Sequence, residues 1–362
     1  MERLQYFLRK LFIITLCLGD FVAYVFLRLV VKCCFIFFMV NHSLFGGDYG
    51  ASFLEIGLGA RALGMGGAFC SMTGDGSSFY WNPAGLTYIR KPSVSGMYGP
   101  QFGSIKNPLG SFHFLGWAQP LPKNSILAVN WVRLSIKDIP VYPELGGNSY
   151  WDRLHDSSLR PSGVPEGYIA DTEDAIYFSF AMMNRFQLDL GWDYHKVNVE
   201  IPWGVNLKWI HQSLGDGEAS GIGVDIGAMV RIHMGEFFEF GKLGIFSCGM
   251  NLQDVTGTKI SWNTRHQDVV DLNLKWGVTY AQPLPGLKGA LSLSYDHNSR
   301  WRGSSHWGLE YTGFKVLALR AGLNRGRFTG GAGFNVWIMK VDYAFLSHEL
   351  DALHRVSCSI AF

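Results

Sequence analysis

Charge is scarce in this chain. Asp, Glu, Lys and Arg make up 17% of its 362 residues, against about 25% in ordinary soluble domains. So sparse a supply does not cover a large soluble β-sandwich. The formal net charge is only +2, and no basic run or base-stacking motif occurs, so nucleic acid is not an expected partner. Cysteine is sparse as well. Cys17, Cys33 and Cys34 fall in the first segment, leaving Cys70, Cys248 and Cys358 far apart. Isolated cysteines at such spacing make neither a disulfide framework nor a metal cluster. The stretch 348–354, with His348, Glu349 and His354, lacks the H-E-x-x-H spacing that puts two imidazoles on one helical face. Asp152, His155, Asp156, Asp171, Glu173 and Asp174 have no cation-ligand spacing and read as solvated loop charge. No catalytic constellation emerges, so the chain is not expected to be an enzyme, and no metal or cofactor is expected.

What is abundant points elsewhere. Hydrophobic residues reach 48% and aromatic residues 15%, with 44 glycines and 12 tryptophans. Residues 1–46 differ in kind from the rest: an apolar run after Arg28 and Lys32 has the layout of an export signal. The stretch 21–40 is nearly long enough to span a membrane as a helix, but those two cations interrupt it. An export segment is the expectation for 1–46, its first two dozen residues being either an unusually long n-region or an over-extended start.

Residues 57–86 form a glycine-rich run that ends in Asn82-Pro83-Ala84-Gly85. Gly64, Gly66 and Gly67 let the backbone bend and approach other chain closely. Pro83 fixes its own φ and biases Asn82 toward extended backbone. The glycine spacing superficially suggests a phosphate loop, but that needs a βαβ unit, and no helix–strand alternation follows. A small-residue segment before a strand series reads instead as a plug or hatch over 47–92.

From residue 93 the chain alternates apolar and polar residues in runs of roughly eight to twelve, the length of a tilted membrane strand. Leu272, Leu274, Trp276, Val278 and Tyr280 oppose Asn273, Lys275, Gly277 and Thr279; Leu291, Leu293 and Tyr295 oppose Ser292, Ser294 and Asp296. Alternation alone also describes a sandwich. The charge deficit, the aromatic residues toward strand ends (Trp117, Trp131, Trp276, Trp307, Trp337) and the apolar terminal face Val356, Cys358, Ile360 and Phe362 decide for a membrane barrel. The expected fold is all-β: an antiparallel transmembrane barrel of about fourteen strands over 93–362, its even count placing both ends on the periplasmic side. The pentapeptides 118–122 and 281–285, both Ala-Gln-Pro-Leu-Pro, then fall at periplasmic turns, and the long loop 138–172 falls outside. The stretch 184–202 fits this scheme least well.

The polar faces carry Asp225, Arg231, Lys275, Asp296, Glu310, Lys340 and Asp342 toward the lumen. Both signs are present, so mutual pairing is the expectation, because an unpaired charge removed from water is costly. That argues against a wide, open porin.

The run Ala60-Arg61-Ala62-Leu63-Gly64-Met65-Gly66-Gly67-Ala68, followed by Trp81-Asn82-Pro83-Ala84-Gly85-Leu86, resembles the N-terminal part of the FadL family of outer-membrane transporters and its PorV-like relatives. Its strongest resemblance is to the FadL-like outer-membrane proteins of spirochaetes. The resemblance implies a multi-pass protein of the cell outer membrane, in contact with outer-membrane lipid. It implies passive uptake of hydrophobic or amphipathic small molecules such as long-chain fatty acids, past a hatch in which Asn82, Pro83, Ala84 and Gly85 form a tight, displaceable turn. The terminal residues Val356, Cys358, Ile360 and Phe362 resemble the signal read by the barrel-assembly machinery. PorV-like relatives imply a different role, a scaffold or carrier for secreted protein cargo. A structural surface barrel is the third reading.

Overall fold

The computed structural model describes residues 50–362 apart from 73, 105–106, 148, 160–162, 190–195, 239–240, 302 and 349–351. The expected export segment 1–46, the first residues of the expected hatch (47–49), and parts of the stretches 184–202 and 348–354 lie outside the described residues.

Sequence alternation is realised as strands β1 (Ser93–Ser104), β2 (Asn107–Leu121), β3 (Ser125–Val141), β4 (Gly167–Asp189), β5 (Lys196–Leu214), β6 (Gly217–His233) and β7 (Ile245–Gln253). They are followed by β8 (Thr258–Trp262), β9 (Gln267–Val270), β10 (Asn273–Leu284), β11 (Gly289–Asn298), β12 (Ser305–Gly313), β13 (Leu317–Asn324), β14 (Arg327–Val336), β15 (Met339–Leu346) and β16 (Leu353–Ala361). Pairing runs from neighbour to neighbour through β1–β7, passes from β7 to β10, and continues to β16, which closes on β1. The ring is therefore a closed antiparallel barrel of fourteen strands. The hairpin β8–β9 stands outside it, attached where β8 pairs with Ala219, Ser220 and Gly221 of β6. Its strands are short, and the sequence pattern did not separate them from loop.

An even ring puts the start of β1 and the end of β16 at one end of the barrel, here the terminal end; the opposite end is the loop end. Both Ala-Gln-Pro-Leu-Pro pentapeptides lie at the terminal end, at the ends of β2 and β10. The segment 142–166 connects β3 to β4 at the loop end and carries a short helix, Tyr150–His155, with a capping box between Ser149 and Asp152. The stretch 184–202 resolves simply: β4 and β5 continue as one hairpin, Leu188 pairing with Val197, beyond the terminal ends of their neighbours. The topology is unchanged.

The exposure pattern inverts that of a soluble protein. Leu293 is 52% exposed and its neighbour Ser294 1%; Leu309 is 41% exposed and Glu310 1%. An apolar outer belt over a polar interior is the arrangement of a membrane barrel. Aromatic residues recur toward both rims, with Tyr98, Trp276 and Trp307 at the loop end and Trp117 and Tyr311 at the other. Two tryptophans depart from the expected strand ends. Trp131 lies midway along β3, which runs on past the rim, and it donates to Asp174 at 2.7 Å. Trp337 occupies the β14–β15 turn, 96% exposed and with φ of 56°.

The interior is filled by the chain that precedes β1. Ser52–Glu55 and Pro83–Tyr88 are 3-10 turns, and Ala60–Gly64 and Ser78–Trp81 are single helical turns. Phe53, Leu58, Met65, Phe69, Phe79 and Leu86 from this segment form the apolar core with Phe112, Ile126, Val132 and Ile210 of the wall. The segment is a plug, and helical pieces this short persist because the wall holds them, not from intrinsic propensity.

Candidate functional site

Three groups of contacts between plug and wall carry most of the chemistry. The first centres on Asn82, whose side chain is wholly buried. Asn82 caps the Pro83–Tyr88 turn, Oδ1 accepting from the Ala84 N–H at 3.1 Å, with proline in the first turn where its missing N–H costs nothing. The other end of the amide faces outward: Nδ2 points at the carbonyls of Cys70 (2.9 Å), Ala228 (3.1 Å) and Met250 (3.3 Å). Gly85 donates to the Asn82 carbonyl at 3.0 Å, and Ala84 is fully buried. Three wall side-chain amides then donate to the carbonyls of the preceding helical turn. Asn206 donates to the Phe79 carbonyl (2.8 Å), Gln253 to Tyr80 (3.1 Å) and Asn251 to Trp81 (2.9 Å). These carbonyls have no helical partner of their own.

Such close docking needs a wall without side chains at the contact. A Cβ on Gly204 would meet the Pro83 carbonyl carbon at 2.7 Å, and one on Gly249 the Cys70 carbonyl oxygen at 2.4 Å. Within the plug, Gly66 has φ of +68° and lies against the carbonyls of Trp307 and Leu323, so its position requires both the left-handed backbone and the missing side chain. Gly64 packs on Gly331 and accepts from Thr329 at 3.2 Å, and Gly67 lies beside His306 and Trp81.

The second fixture is ionic. Arg61 grips Glu310 of β12 with two bonds, 2.9 Å from Nε and 2.7 Å from Nη2. Glu310 also takes Arg320 Nε at 2.7 Å, Arg320 reaches Asp342 at 2.9 Å, and Lys340 reaches Asp342 at 3.4 Å. Asp75 completes the cluster at 3.5 Å from Arg61. Burial opposes ionisation of Asp75, yet Arg61, Lys340 and Ser77 outweigh it and hold its carboxyl below the usual carboxylate range. The third fixture is Asp296 of β11, whose Oδ2 accepts from the N–H groups of Phe69 (2.7 Å) and Cys70 (2.6 Å).

A separate ionic chain crosses to the loop end. Lys208 lies 2.8 Å from Asp225 and 2.7 Å from Asp254; Arg300 bridges Asp254 (3.3 Å) and Glu55 of the plug (3.0 Å). Burial disfavours the Glu55 carboxylate, but Lys275, Arg300 and Arg325 hold its pKa below the usual range. It is an ionised group.

The lumen candidates thus fall into different settings. Asp225, Glu310, Lys340 and Asp342 belong to ion pairs, and Asp296 serves plug amides. Arg231 stands 4.9 Å over the Tyr88 ring, and Lys275 stands over Tyr80 (4.8 Å) and Trp81 (5.5 Å). Val356, Ile360 and Phe362 face outward, β16 closing on β1 and the Phe362 N–H reaching Pro92. Loop residues Asp152 and Asp156 cap local turns, and Asp174 pairs with Arg133 at 2.7 Å. Among the described residues no group of three or more His, Cys, Asp or Glu is placed to hold a metal.

Above the plug, toward the loop end, lies a cavity of about 430 Å³. Its floor is plug: Glu55, Tyr80 and Trp81. Its walls bring Lys275, His297, His306, Arg325, Arg327 and Arg355, with Trp301, Leu346 and Leu353 as apolar surface. The β1–β16 ladder runs from Ser93 with Ala361 to Tyr98 with Val356 and stops. Past that point the Arg355 guanidinium bonds the Pro100 carbonyl at 2.6 Å and the Gln101 side chain, and it covers Gly99. Glu55, Arg300, Arg325 and Arg355 carried no sequence signal, since each is an ordinary charge in a loop, a turn or a strand end.

No family profile matches the chain, and no curated protein matches it. Solved structures do. The toluene transporter TodX of P. putida aligns over 84% of this chain and 99% of its own, at 11% identity and a TM-score of 0.49. The Ralstonia pickettii toluene transporter TbuX aligns over 84% and 98%, at 11% identity and 0.46. CdiB from Acinetobacter baumannii aligns over 76% and 60%, at 9% identity and 0.38. These scores are too low for any neighbour's cargo to be read across to this barrel.

Proposed function

We propose that this chain is a passive channel of the cell outer membrane, its terminal end toward the periplasm, that takes up an amphipathic small molecule. The observation that carries this reading is the loop-end cavity of about 430 Å³ seated directly on the plug. A few hundred Å³ is the usual size of a small-ligand site, and this one is lined largely by polar side chains. The lining combines cations with tryptophan, tyrosine and leucine, which suits a molecule with a charged head and an apolar body; a long-chain fatty acid is one such molecule. A sideways exit past Arg355, where the β1–β16 ladder has stopped, would leave the pinned plug in place. The role is transport and not catalysis. Contact with outer-membrane lipid and recognition of the terminal strand by the barrel-assembly machinery belong to the same reading.

Uptake of a long-chain fatty acid by liposomes holding the purified barrel tests it. Absence of uptake, both in the parent and in Pro83→Ala, sinks it. Lipid extraction of the purified protein would identify a carried ligand.

A second reading has its own observation. The 142–166 segment exposes Tyr142 (52%), Leu145 (60%), Tyr150 (67%) and Trp151 (65%) at the loop end. Exposed apolar surface of this kind suits a protein partner, as a scaffold for secreted cargo would need. Stoichiometric co-purification of a cargo protein, lost on replacing Tyr150 and Trp151 by Ser, would favour it.

A further inference from the structure

The cavity already holds an anion, and it belongs to the chain. Glu55 reaches into it from the plug, ionised and bound to Arg300 at 3.0 Å. Among the described residues, the ionisable side chains lining the space include Lys275, Arg325, Arg327 and Arg355 as cations, with Glu55 and Asp296 as acids. Asp296 is turned to the Phe69 and Cys70 amides, whereas Glu55 stands among cations, with Lys275, Arg300 and Arg325 all acting on its charge. Lys275 meanwhile lies over the faces of Tyr80 and Trp81, a cation and two rings side by side. A neutral hydrocarbon entering here would strip water from these cations and return nothing.

Resting on the channel reading, we propose that Glu55 is an internal stand-in for the ligand's own acidic group: the cavity takes an organic monoanion whose carboxylate displaces Glu55 from Arg300 and whose body lies against Tyr80 and Trp81. Glu55 ends the Ser52–Glu55 turn, and the same turn is tied to the cavity floor by the Tyr80 hydroxyl, which donates to the Leu54 carbonyl. Displacement of Glu55 therefore loosens the top of the plug while the Asn82 contacts below hold. Entry of ligand and release of the turn are one event.

Calorimetric titration of the folded barrel in non-ionic detergent with benzoate, octanoate, benzyl alcohol and inorganic phosphate tests this. Benzoate or octanoate binds, benzyl alcohol and phosphate bind at least about tenfold more weakly, and Glu55→Gln tightens the organic anion by about tenfold, since the internal competitor is gone. Lys275→Met weakens it. Heat-modifiable mobility on gels establishes that each variant is a folded barrel. Unchanged or weaker binding in folded Glu55→Gln overturns the proposal, as does equal binding of benzyl alcohol or of phosphate. The two readings fail separately: anion binding of the stated pattern without liposome uptake removes the channel and keeps this site, whereas uptake with no effect of Glu55→Gln on binding removes the stand-in alone.

Discussion

The side chain of Asn82 occupies the space that a side chain on Gly227 would need: a Cβ at Gly227 would lie 2.2 Å from Asn82 Oδ1 and 2.7 Å from Pro83 Cδ. Wall and plug are fitted by subtraction. Gly227→Val should cost about 1–3 kcal/mol as overpacking and push the Asn82 turn off the wall. The outcome to measure is conductance in planar bilayers, which rises if the plug is dislodged. A variant that folds with parental conductance and parental protease resistance contradicts the fit.

Asn82→Ala removes the cap on Ala84 and the donor to three carbonyls together. Losing partners at buried polar groups costs about 1–3 kcal/mol. Asn82→Asp should be worse, because a carboxylate then faces carbonyl oxygens that need a donor. Thermal unfolding followed by loss of heat-modifiable gel mobility reads both, and the order Asp below Ala below Asn is the expected result.

Glu310→Ala leaves Arg61 without its bidentate partner inside the barrel and takes one carboxylate from Arg320. Breaking a buried pair from one side costs about 3–5 kcal/mol. Adding Arg61→Met to Glu310→Ala should restore part of the loss. If the double variant is as unstable as the sum of the singles, the pair is not the fixture described.

The Asp75 contact has a pH signature. Its folded carboxyl sits below the usual range, so its contribution to stability is present above the unfolded-state pKa and disappears as pH falls through the folded one. Limited proteolysis of the plug should stay constant from neutral pH down to the ordinary carboxylate range and increase only below it. In Asp75→Asn the acid-dependent part of this increase should be absent.

Arg355 spans the place where the β1–β16 ladder has ended. Arg355→Ala should open the wall beside the cavity and raise liposome uptake several-fold without raising conductance, since the plug stays. Parallel increases in both would mean that the plug, not the wall, had been disturbed.

Much of this architecture is legible in the chain itself, for a physical reason. Alternation has period two and lipid lies outside, so Leu293 and Ser294 declare their faces without any knowledge of neighbours. Even strand count and turn proline then set which end is which. Partners are another matter. Nothing in sequence says that Arg61 will meet Glu310, or that Asn206, Asn251 and Gln253 will serve three successive carbonyls, because inward polar residues look alike until the ring closes. The hairpin β8–β9 escaped for want of length, and Glu55 because a single acidic residue in a glycine-rich segment has no pattern around it.

The plug touches β5, β6, β7, β11, β12, β13, β14 and β16, and every one of these strands follows it in the chain. A segment that precedes every strand gripping it works as a former around which the ring is wound. Glycines such as Gly204, Gly249 and Gly331 then act as register marks, since a strand that slipped by one residue would present a side chain where the former leaves no room. On this view a defect in the plug would be felt first as mis-wound barrels during assembly, before any ligand is offered.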